Sequence, residues 1–286
     1  MKKVTHERKV GKFYSTGSKI RKCDYYTREQ KDEGFLSFGY WEKSTRTYLD
    51  AANNLLNYFI KNSNIKKTDR ILNVACGYGT ETFAYYDKFK PSKIEGIDIT
   101  KVHVDYANNR AKVQQLDNKI KFYHGDACVL NFPDNSFSHI LGIEGPAHFN
   151  TREKFFRTAS RVLKEKGELL LTDIVLGKRF KKIGIVKKLI MKLTAKKWVI
   201  PKANLVDEQG YKEQMEKGGL KVVFLKKIGE KVFPGYSNNG FSIKTIKTRL
   251  LQRGPFAIIG LTIISYLLGY LYKKGLIEYI YVKAQK

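Results

Sequence analysis

Short apolar runs alternate with amphipathic segments along the middle of the chain. The runs include "RILNVA", "KIEGIDI", "IKFYHGDA", "FSHILGIEG" and "GELLLTDIVL". Between them, segments such as "REKFFRTASRVLKEK" place apolar residues three and four positions apart, which is typical of helices. Alternation at this period predicts parallel strands joined by right-handed helical crossovers. The fold class is therefore α/β, with a doubly wound sheet.

The alternation breaks after residue 177, and the break predicts the organisation of the chain. We expect an N-terminal arm over residues 1–36, a nucleotide-binding type of core over 37–177, a basic insertion over 178–204 and a C-terminal part over 205–286. The C-terminal part adds two strands, "LKVVFLKKI" and "LIEYIYVKAQ". The prediction is a mostly parallel, seven-stranded sheet.

The charge of the chain limits the class of partner. The 286 residues carry a formal net charge of +27, and such a field favours anionic partners, unless it only solvates a lysine-rich surface. The three cysteines are scattered and lack metal-ligand spacing, which fits a reducing compartment. The basic N-terminus has no apolar core of a signal peptide. We expect a cytoplasmic protein without a metal site.

Two glycines and two aspartates follow consecutive predicted strands. Gly77 and Gly79 come directly after the first strand, Asp98 ends the second, and Asp126 follows the third. Ligands of open parallel sheets bind beyond the carboxyl ends of the strands. Glycine allows a sharp turn and a close approach to the ligand, and an acidic residue at this distance accepts ribose hydroxyls in dinucleotide folds. Each carboxylate alone would also suit a helix N-cap.

These segments resemble a known enzyme family. "ILNVACGYG", "IEGIDIT", "YHGDACVLNFPDNSFSHIL" and "RVLKEKGELLLTDI" together are similar to the motifs of class I S-adenosylmethionine-dependent methyltransferases. "FGYWE", "IEGPAHFNTREKFF" and "KKGLIEYIYVKAQK" resemble the small-molecule branch that contains the rebeccamycin sugar O-methyltransferase, the microcystin O-methyltransferase, and tocopherol and sterol methyltransferases. The resemblance implies S-adenosylmethionine as the cofactor.

The resemblance also implies a set of cofactor-binding residues. Gly77 and Gly79 would pass the methionine portion and the sugar, and Asp98 would bind the ribose. The full set is Asn73, Ala75, Gly77, Gly79, Asp98, Ile99, Asp126 and Ala127, with Tyr40 and Trp41 folding over the cofactor. Two positions depart from the family: Asn73 stands where Asp is usual, and Ala75 where Gly is usual. We expect Ala75 inside the strand, where one methyl group is a small change.

Methyl transfer needs a nucleophile held about 3 Å from the methyl group and in line with sulfur. For a hydroxyl acceptor, a positioned base adds roughly 10²–10⁴-fold. The resemblance implies His148 as that base and Asp173 as a group that orients the imidazole or contacts the acceptor. Glu144 is a further acid at the same edge. His148 in a packing or helix-capping role is the competing interpretation.

The insertion carries a second amphipathic pattern. Lys178 to Lys197 contains nine basic residues and no acid, and Phe180, Val186, Ile190 and others recur at helical spacing. A cationic amphipathic helix is typical of an anionic membrane surface. The resemblance implies that this region forms a helical lid over the acceptor site. A lid packed on the core and a grip on an acceptor phosphate are the alternatives to a membrane surface. The uncharged run Gly254–Tyr272 reaches the lower limit for a membrane span, but the predicted strand after it argues against one.

The sequence supports one leading function and three alternatives. The leading hypothesis is O-methylation of a lipophilic small molecule, with His148 as base, by an enzyme that is cytoplasmic or peripheral on a membrane through residues 178–197. C-methylation of a prenyl, sterol or quinone-like acceptor is the first alternative. An RNA methyltransferase and a non-catalytic cofactor-binding protein follow. The basic residues lie beside apolar faces rather than among stacking aromatics, which argues against nucleic acid.

Overall fold

The computed structural model describes residues 5–20, 34–243, 245–247 and 255–286, with backbone only at 16–20, 255–259 and 261. The strands are β1 Arg70–Val74, β2 Lys93–Asp98, β3 Ile120–His124, β4 Phe137–Ile143, β5 Leu163–Leu176, β6 Lys221–Lys227 and β7 Ile277–Gln285. The helices of this part are α1 His6–Ile20, α2 Tyr48–Lys61, α3 Thr80–Phe89, α4 Lys101–Val113, α5 Arg152–Val162, α6 Ile185–Lys197, α7 Glu208–Lys217, α8 Phe233–Gly240 and α9 Pro255–Lys273.

The strands form one seven-stranded sheet in the order β3-β2-β1-β4-β5-β7-β6. The first five strands in this order are parallel, and β7 runs antiparallel to both of its neighbours. The chain order reverses between β1 and β4, so the carboxyl ends of these two strands flank the crevice where such sheets bind ligands. The predicted α/β fold with a mostly parallel, seven-stranded sheet is confirmed.

Alternating side chains on the strands bury both faces of the sheet. Ile71 of β1 belongs to one apolar cluster, whereas Leu72 and Val74 belong to the cluster on the other face. Tyr281 and Val282 of β7 divide between the two clusters in the same way. Both faces are covered by helices, which explains why the strands are near-continuous apolar runs in the sequence.

Two segments differ from the sequence-based expectation in local structure. In the N-terminal segment, α1 packs onto the rim of the sheet, which is the edge formed by the carboxyl ends of the parallel strands. Val10 of α1 is buried there. In the insertion, a 3₁₀ turn spans Lys178–Lys182 and the helix begins only at Ile185, because Gly184 separates them in an extended conformation. Among the residues described, no helix combines the length and apolar character needed to cross a membrane.

Candidate cofactor and acceptor site

The turn after β1 depends on glycine at two positions. Gly77 and Gly79 have φ angles of 51° and 80°, in the left-handed region that side chains disfavour. The Gly79 N–H donates to the Cys76 carbonyl at 2.9 Å, and α3 begins at the next residue. The N–H groups of the first turn of α3 lie directly after this turn, a position that suits an anionic group such as a carboxylate.

Asp98 connects the ends of β1 and β2. Its Oδ2 accepts the N–H of Gly77 at 2.9 Å, and its Oδ1 accepts the N–H of Thr100 at 2.8 Å. The residue is buried at the rim. Because each carboxylate oxygen has a second lone pair, Asp98 retains the capacity to accept two ribose hydroxyls.

The ends of β2 and β3 supply the other predicted contacts on this side. Asp126 is partly exposed, and its Oδ1 accepts the N–H of Cys128 at 2.8 Å, whereas Ala127 is buried. The carbonyl of Ile99 lies 3.1 Å from Nε2 of His124. These residues are thus placed on the same edge as Asp98, and their contacts with the adenine stay a prediction.

The two departures from the family have local structural roles. Asn73 is buried, and its amide donates to Oγ1 of Thr82 at 2.8 Å, so it fastens β1 to α3. We expected Ala75 inside the strand, but the structure places it after the last residue of β1. It follows β1 with a φ of 52°, and its methyl group packs against Gly145, where an added Cβ would lie 2.5 Å from it.

Tyr40 and Trp41 pack away from the glycine turn. The ring of Tyr40 stacks on Tyr58 of α2 at 5.2 Å, and Trp41 lies against Gly235 of α8. Two earlier residues face the rim. The Leu36 side chain would lie 3.1 Å from a Cβ added at Gly77, and the N–H of Phe38 donates to Oε1 of Glu144 at 2.8 Å. The rings of Tyr40 and Trp41 thus pack on α2 and α8, and their contact with the cofactor stays a prediction.

Leu36 and Phe38 reach the rim because Gly34 and Gly39, with φ angles of 79° and 76°, turn the chain on either side of them.

Three carboxylates gather at the rim. Burial raises the pKa of Glu81 to about 7 and that of Glu144 to about 8, and each is raised further by neighbouring acids, Asp98 for Glu81 and Glu81 for Glu144. Glu144 Oε1 also accepts the hydroxyl of Tyr279 at 2.7 Å. A cationic ligand would relieve this mutual repulsion. The residues present therefore fit a cofactor that carries a sulfonium and an ammonium group.

His148 lies on the turn Pro146–His148, which follows β4. Its Nε2 is 3.1 Å from the hydroxyl of Tyr14, and its carbonyl oxygen accepts Nε2 of His6 at 2.8 Å. Burial lowers the pKa of His148 to about 4, partly offset by the facing backbone of Val199. The imidazole is therefore neutral near pH 7, and α1 closes over it.

Asp173 does not reach the imidazole. It is fully buried and pairs with Arg152, whose Nε lies 2.7 Å from Oδ2 and whose Nη2 lies 3.1 Å from Oδ1. Arg152 in turn donates to the carbonyl of Asn204. The amide of Asn204 donates to the carbonyls of Pro146, Ala147 and Phe149, at 3.4, 3.0 and 2.7 Å. Asp173 thus acts on the turn of His148 through a chain of contacts.

A cavity of about 130 Å³ lies beside this turn. Its walls are mostly apolar and come from α6, the segment after it, and α9. Arg152 and Asn204 are polar exceptions. The lining includes Ala147, Met191, Trp198, Leu268, Leu271 and Ile277.

Several site residues escaped the sequence analysis. Glu81 carries a recoverable signal, because it is an acid in the first helical turn after the glycine motif. Tyr14, Arg152 and Asn204 carry none, because only the folded chain brings α1 and residue 204 to the turn of His148. Tyr279 belongs to a predicted strand, but its contact with Glu144 depends on the pairing of β5 with β7.

Comparisons with known proteins agree with this geometry. A family model described as a methyltransferase domain matches residues 65–231. The erythromycin 3''-O-methyltransferase of Saccharopolyspora erythraea is 29% identical over 71% of this chain and 68% of that protein. A sterol 24-C-methyltransferase of Gibberella zeae is 34% identical over 41% of this chain and 32% of that protein.

Among solved structures, a geranyl diphosphate methyltransferase in complex with geranyl diphosphate and sinefungin superposes with a TM-score of 0.78 at 12% identity, covering 98% of this chain and 99% of that one. The fold and the site define a class I methyltransferase that uses S-adenosylmethionine. The chain belongs to the methyltransferase-domain family, whose model matches more than half of its length.

Proposed function

We propose that this enzyme methylates a hydroxyl group of a lipophilic small molecule, with His148 as the general base. The observation that carries the proposal is the 3.1 Å contact between Nε2 of His148 and the hydroxyl of Tyr14. A neutral ring nitrogen already faces a hydroxyl at the rim. An acceptor hydroxyl placed there, or beside Tyr14, has a nitrogen within reach to take its proton.

S-adenosylmethionine supplies the methyl group on a cationic sulfonium. An acceptor oxygen would take this methyl group and leave S-adenosylhomocysteine, and Nε2 of His148 would accept the hydroxyl proton, directly or through Tyr14. Glu81, Asp98 and Glu144 complement the cationic donor. The Asp173–Arg152–Asn204 chain holds the turn of His148 in place.

The cavity supports the lipophilic character of the acceptor. It adjoins Ala147, the residue before His148, and its walls are largely apolar, as is usual for sites of small organic ligands. One relative is named as an erythromycin 3''-O-methyltransferase, and another as a sterol 24-C-methyltransferase. Both names are consistent with a bulky apolar acceptor for this chain.

A second candidate is methylation of carbon. Phe38, Phe233, Tyr236 and Tyr279 form an aromatic cluster next to Glu144, with the Phe38 and Tyr236 rings 4.8 Å apart. Aromatic faces and a carboxylate stabilise a carbocation, which arises when the methyl group adds to an alkene. For this reaction Glu144 stabilises the carbocation, and His148 is not needed as a base.

The pH dependence of kcat/KM separates the two candidates. An acceptor is first found in a screen of hydroxylated macrolides, sterols and long-chain alcohols. The screen follows formation of S-adenosylhomocysteine, and NMR locates the new methyl group in the product. A histidine base requires only that His148 be neutral, so the acidic limb falls near pH 4, because the pKa of His148 is about 4. A role for ionised Glu144 places the limb at higher pH, because burial raises the pKa of Glu144 to about 8 in the cofactor-free protein.

Paired variants complete the test. His148→Gln is expected to lose roughly 10²–10⁴-fold in kcat with unchanged cofactor affinity by calorimetry, whereas Glu144→Gln retains more activity. If His148→Gln kept wild-type turnover of a hydroxyl acceptor, or if the product carried the methyl group on carbon, the base assignment would be wrong.

A further inference from the structure

The apolar face of α6 points away from the protein. Ile185, Val186, Leu189, Ile190 and Leu193 are between 57% and 84% exposed. The opposite face of the helix packs on the protein through Ala195, which is buried, and Met191, which is partly buried. An amphipathic helix at a protein surface normally buries its apolar stripe. This orientation argues against the alternative of a lid whose apolar side packs on the core.

A second group of exposed apolar residues lies on α9 and the segment after α8. It consists of Phe241, Ile243, Ile263, Tyr266 and Tyr270. Tyr266 stacks on Tyr270 at 6.2 Å, and Phe241 meets Tyr266 edge-on at 6.3 Å. The two groups together hold ten of the sixteen large apolar side chains that are exposed in the part of the chain that the structure describes.

The two groups adjoin each other at the cavity. Ile190 and Met191 of α6 and Leu267 and Leu271 of α9 line the same space. Ile190 is also 57% exposed, so the cavity opens beside the outward face of α6. We call the exposed apolar residues of α6, α9 and the segment after α8 the docking face. An exposed apolar surface of this extent marks an interaction site rather than ordinary solvent contact.

Positive charge surrounds the docking face. Exposed basic residues on α6 and at the end of α9 are Lys187, Lys192, Lys196, Lys197, Lys273 and Lys274. The stretch from Lys178 to Lys197 contains no acid. Lysines around an apolar centre match an anionic lipid surface, because the side chains enter the interface while the ammonium groups bind lipid headgroups. Tyrosines such as Tyr266 and Tyr270 also prefer the membrane interface.

We propose that the docking face binds the surface of an anionic lipid bilayer and that the cavity receives its acceptor from the lipid. A second copy of the chain fits this surface less well, because the face would bring like charges together. RNA fits less well, because the centre of the face is aliphatic. The membrane contact does not depend on which atom is methylated or on His148.

The test is flotation of the full-length protein with vesicles of phosphatidylcholine alone or mixed with phosphatidylserine. We expect binding to the mixed vesicles that weakens as salt is raised. The triple variant Ile185→Ser, Leu189→Ser, Leu193→Ser is expected to lose this binding. A matched triple variant, Val113→Ser, Val129→Ser, Val223→Ser, removes equally exposed apolar side chains elsewhere and should bind as the wild type does.

Charge is tested separately. Lys187→Gln, Lys192→Gln, Lys196→Gln should lower the partition coefficient by about 10²-fold. Lys88→Gln, Lys112→Gln, Lys221→Gln removes the same charge from other surfaces and should change it less than about 5-fold. Calorimetry with S-adenosylmethionine confirms that each variant is folded.

Absence of the wild-type protein from both kinds of vesicle would overturn the proposal. So would equal binding by the docking-face and control variants. A concentration-dependent dimer that the apolar variant abolishes would assign the face to self-association, and salt-sensitive RNA binding that the lysine variant abolishes would assign it to nucleic acid. Because no acceptor is used, failure here is distinct from failure of the proposed chemistry.

Discussion

Two residues with side chains adopt left-handed backbone angles at the crevice between β1 and β4. Ala75 follows β1 with a φ of 52°, and Glu144 follows β4 with a φ of 61°. For such residues this conformation costs roughly 1–2 kcal/mol. At Glu144 the cost accompanies a defined carboxylate position, fixed by Phe38 and Tyr279. Strain of this kind is typical of functional sites. At Ala75 no comparable gain is visible beyond the packing of one methyl group.

Replacing Ala75 by glycine is therefore expected to stabilise the protein. The left-handed strain disappears, while the loss of the methyl contact with Gly145 and the greater freedom of the unfolded chain offset part of the gain. We expect an increase of about 0.5–1 kcal/mol in the free energy of unfolding. Urea titration measures it as a higher midpoint at constant slope. A lower midpoint would show that packing against Gly145 outweighs the strain.

The turn of His148 is positioned by elements that are distant in sequence. Asp173 of β5 holds Arg152 of α5, which binds the carbonyl of Asn204. The amide of Asn204 then reaches three carbonyls around the turn. Asn204 is buried, so loss of its amide leaves polar groups without partners in the interior.

Substitution of Asn204 by alanine is expected to loosen this turn. The free energy of unfolding should fall by about 1–3 kcal/mol, and kcat should fall at least 10-fold, because the base that we propose, His148, loses its alignment. Cofactor affinity by calorimetry should stay unchanged, since the amide does not contact β1 or β2. Asn62→Ala, which removes an amide bonded to the carbonyl of Tyr58 in α2, is the control. An equal fall in kcat there would remove the positioning role.

The strands and the glycine rim were predictable because they depend on local patterns. Apolar runs indicate strands, and a turn with positive φ requires glycine at positions such as Gly77. The partners of Asp173 and Tyr40 were not predictable. Arg152 has the sequence context of an exposed charge in a first helical turn, and it is buried only because β5, α7 and residue 204 enclose it. The outward orientation of the apolar face of α6 was also not predictable. A helical pattern shows which residues share a face, but not whether that face points to the protein or to the solvent.

The molecule as a whole separates its charges. The formal net charge is +27, yet acids such as Glu81, Asp98 and Glu144 line the cofactor rim. The basic residues around the docking face favour anionic surfaces, whereas the acidic rim favours a cation. One chain can thus attract a negatively charged membrane and a positively charged cofactor at different places.

This separation gives stability a defined pH dependence. The pKa of Glu144 is raised from 4.5 to about 8 and that of Glu81 from 4.5 to about 7. Between these limits the folded protein holds protons that the unfolded chain releases, so stability is present at low pH and lost as pH rises. The pKa of His148 is lowered from 6.5 to about 4, which has the opposite sign and acts only below pH 6.5. Above pH 6.5 the two glutamates therefore make stability fall as pH rises. The raised pKa values of Asp173 and Glu278, which are due to burial, act in the same direction.

We therefore expect the free energy of unfolding of the cofactor-free protein to fall by about 1 kcal/mol or less per pH unit and per glutamate from pH 6.5 up to the folded-state pKa of each, about 7 for Glu81 and about 8 for Glu144. S-adenosylmethionine should reverse the fall, because its cationic groups favour ionised carboxylates. Binding of S-adenosylmethionine should accordingly release protons. It should release more of them than binding of S-adenosylhomocysteine, which lacks the sulfonium charge. Urea unfolding at several pH values measures the slope, and calorimetry in buffers of different ionisation enthalpy counts the protons. Glu144→Gln should flatten the slope, whereas Glu216→Gln, at an exposed position, should not. Equal slopes in the two variants would show that Glu144 does not cause the pH dependence. If binding released no protons, the acidic residues of the rim would not be the groups that bind the cationic cofactor.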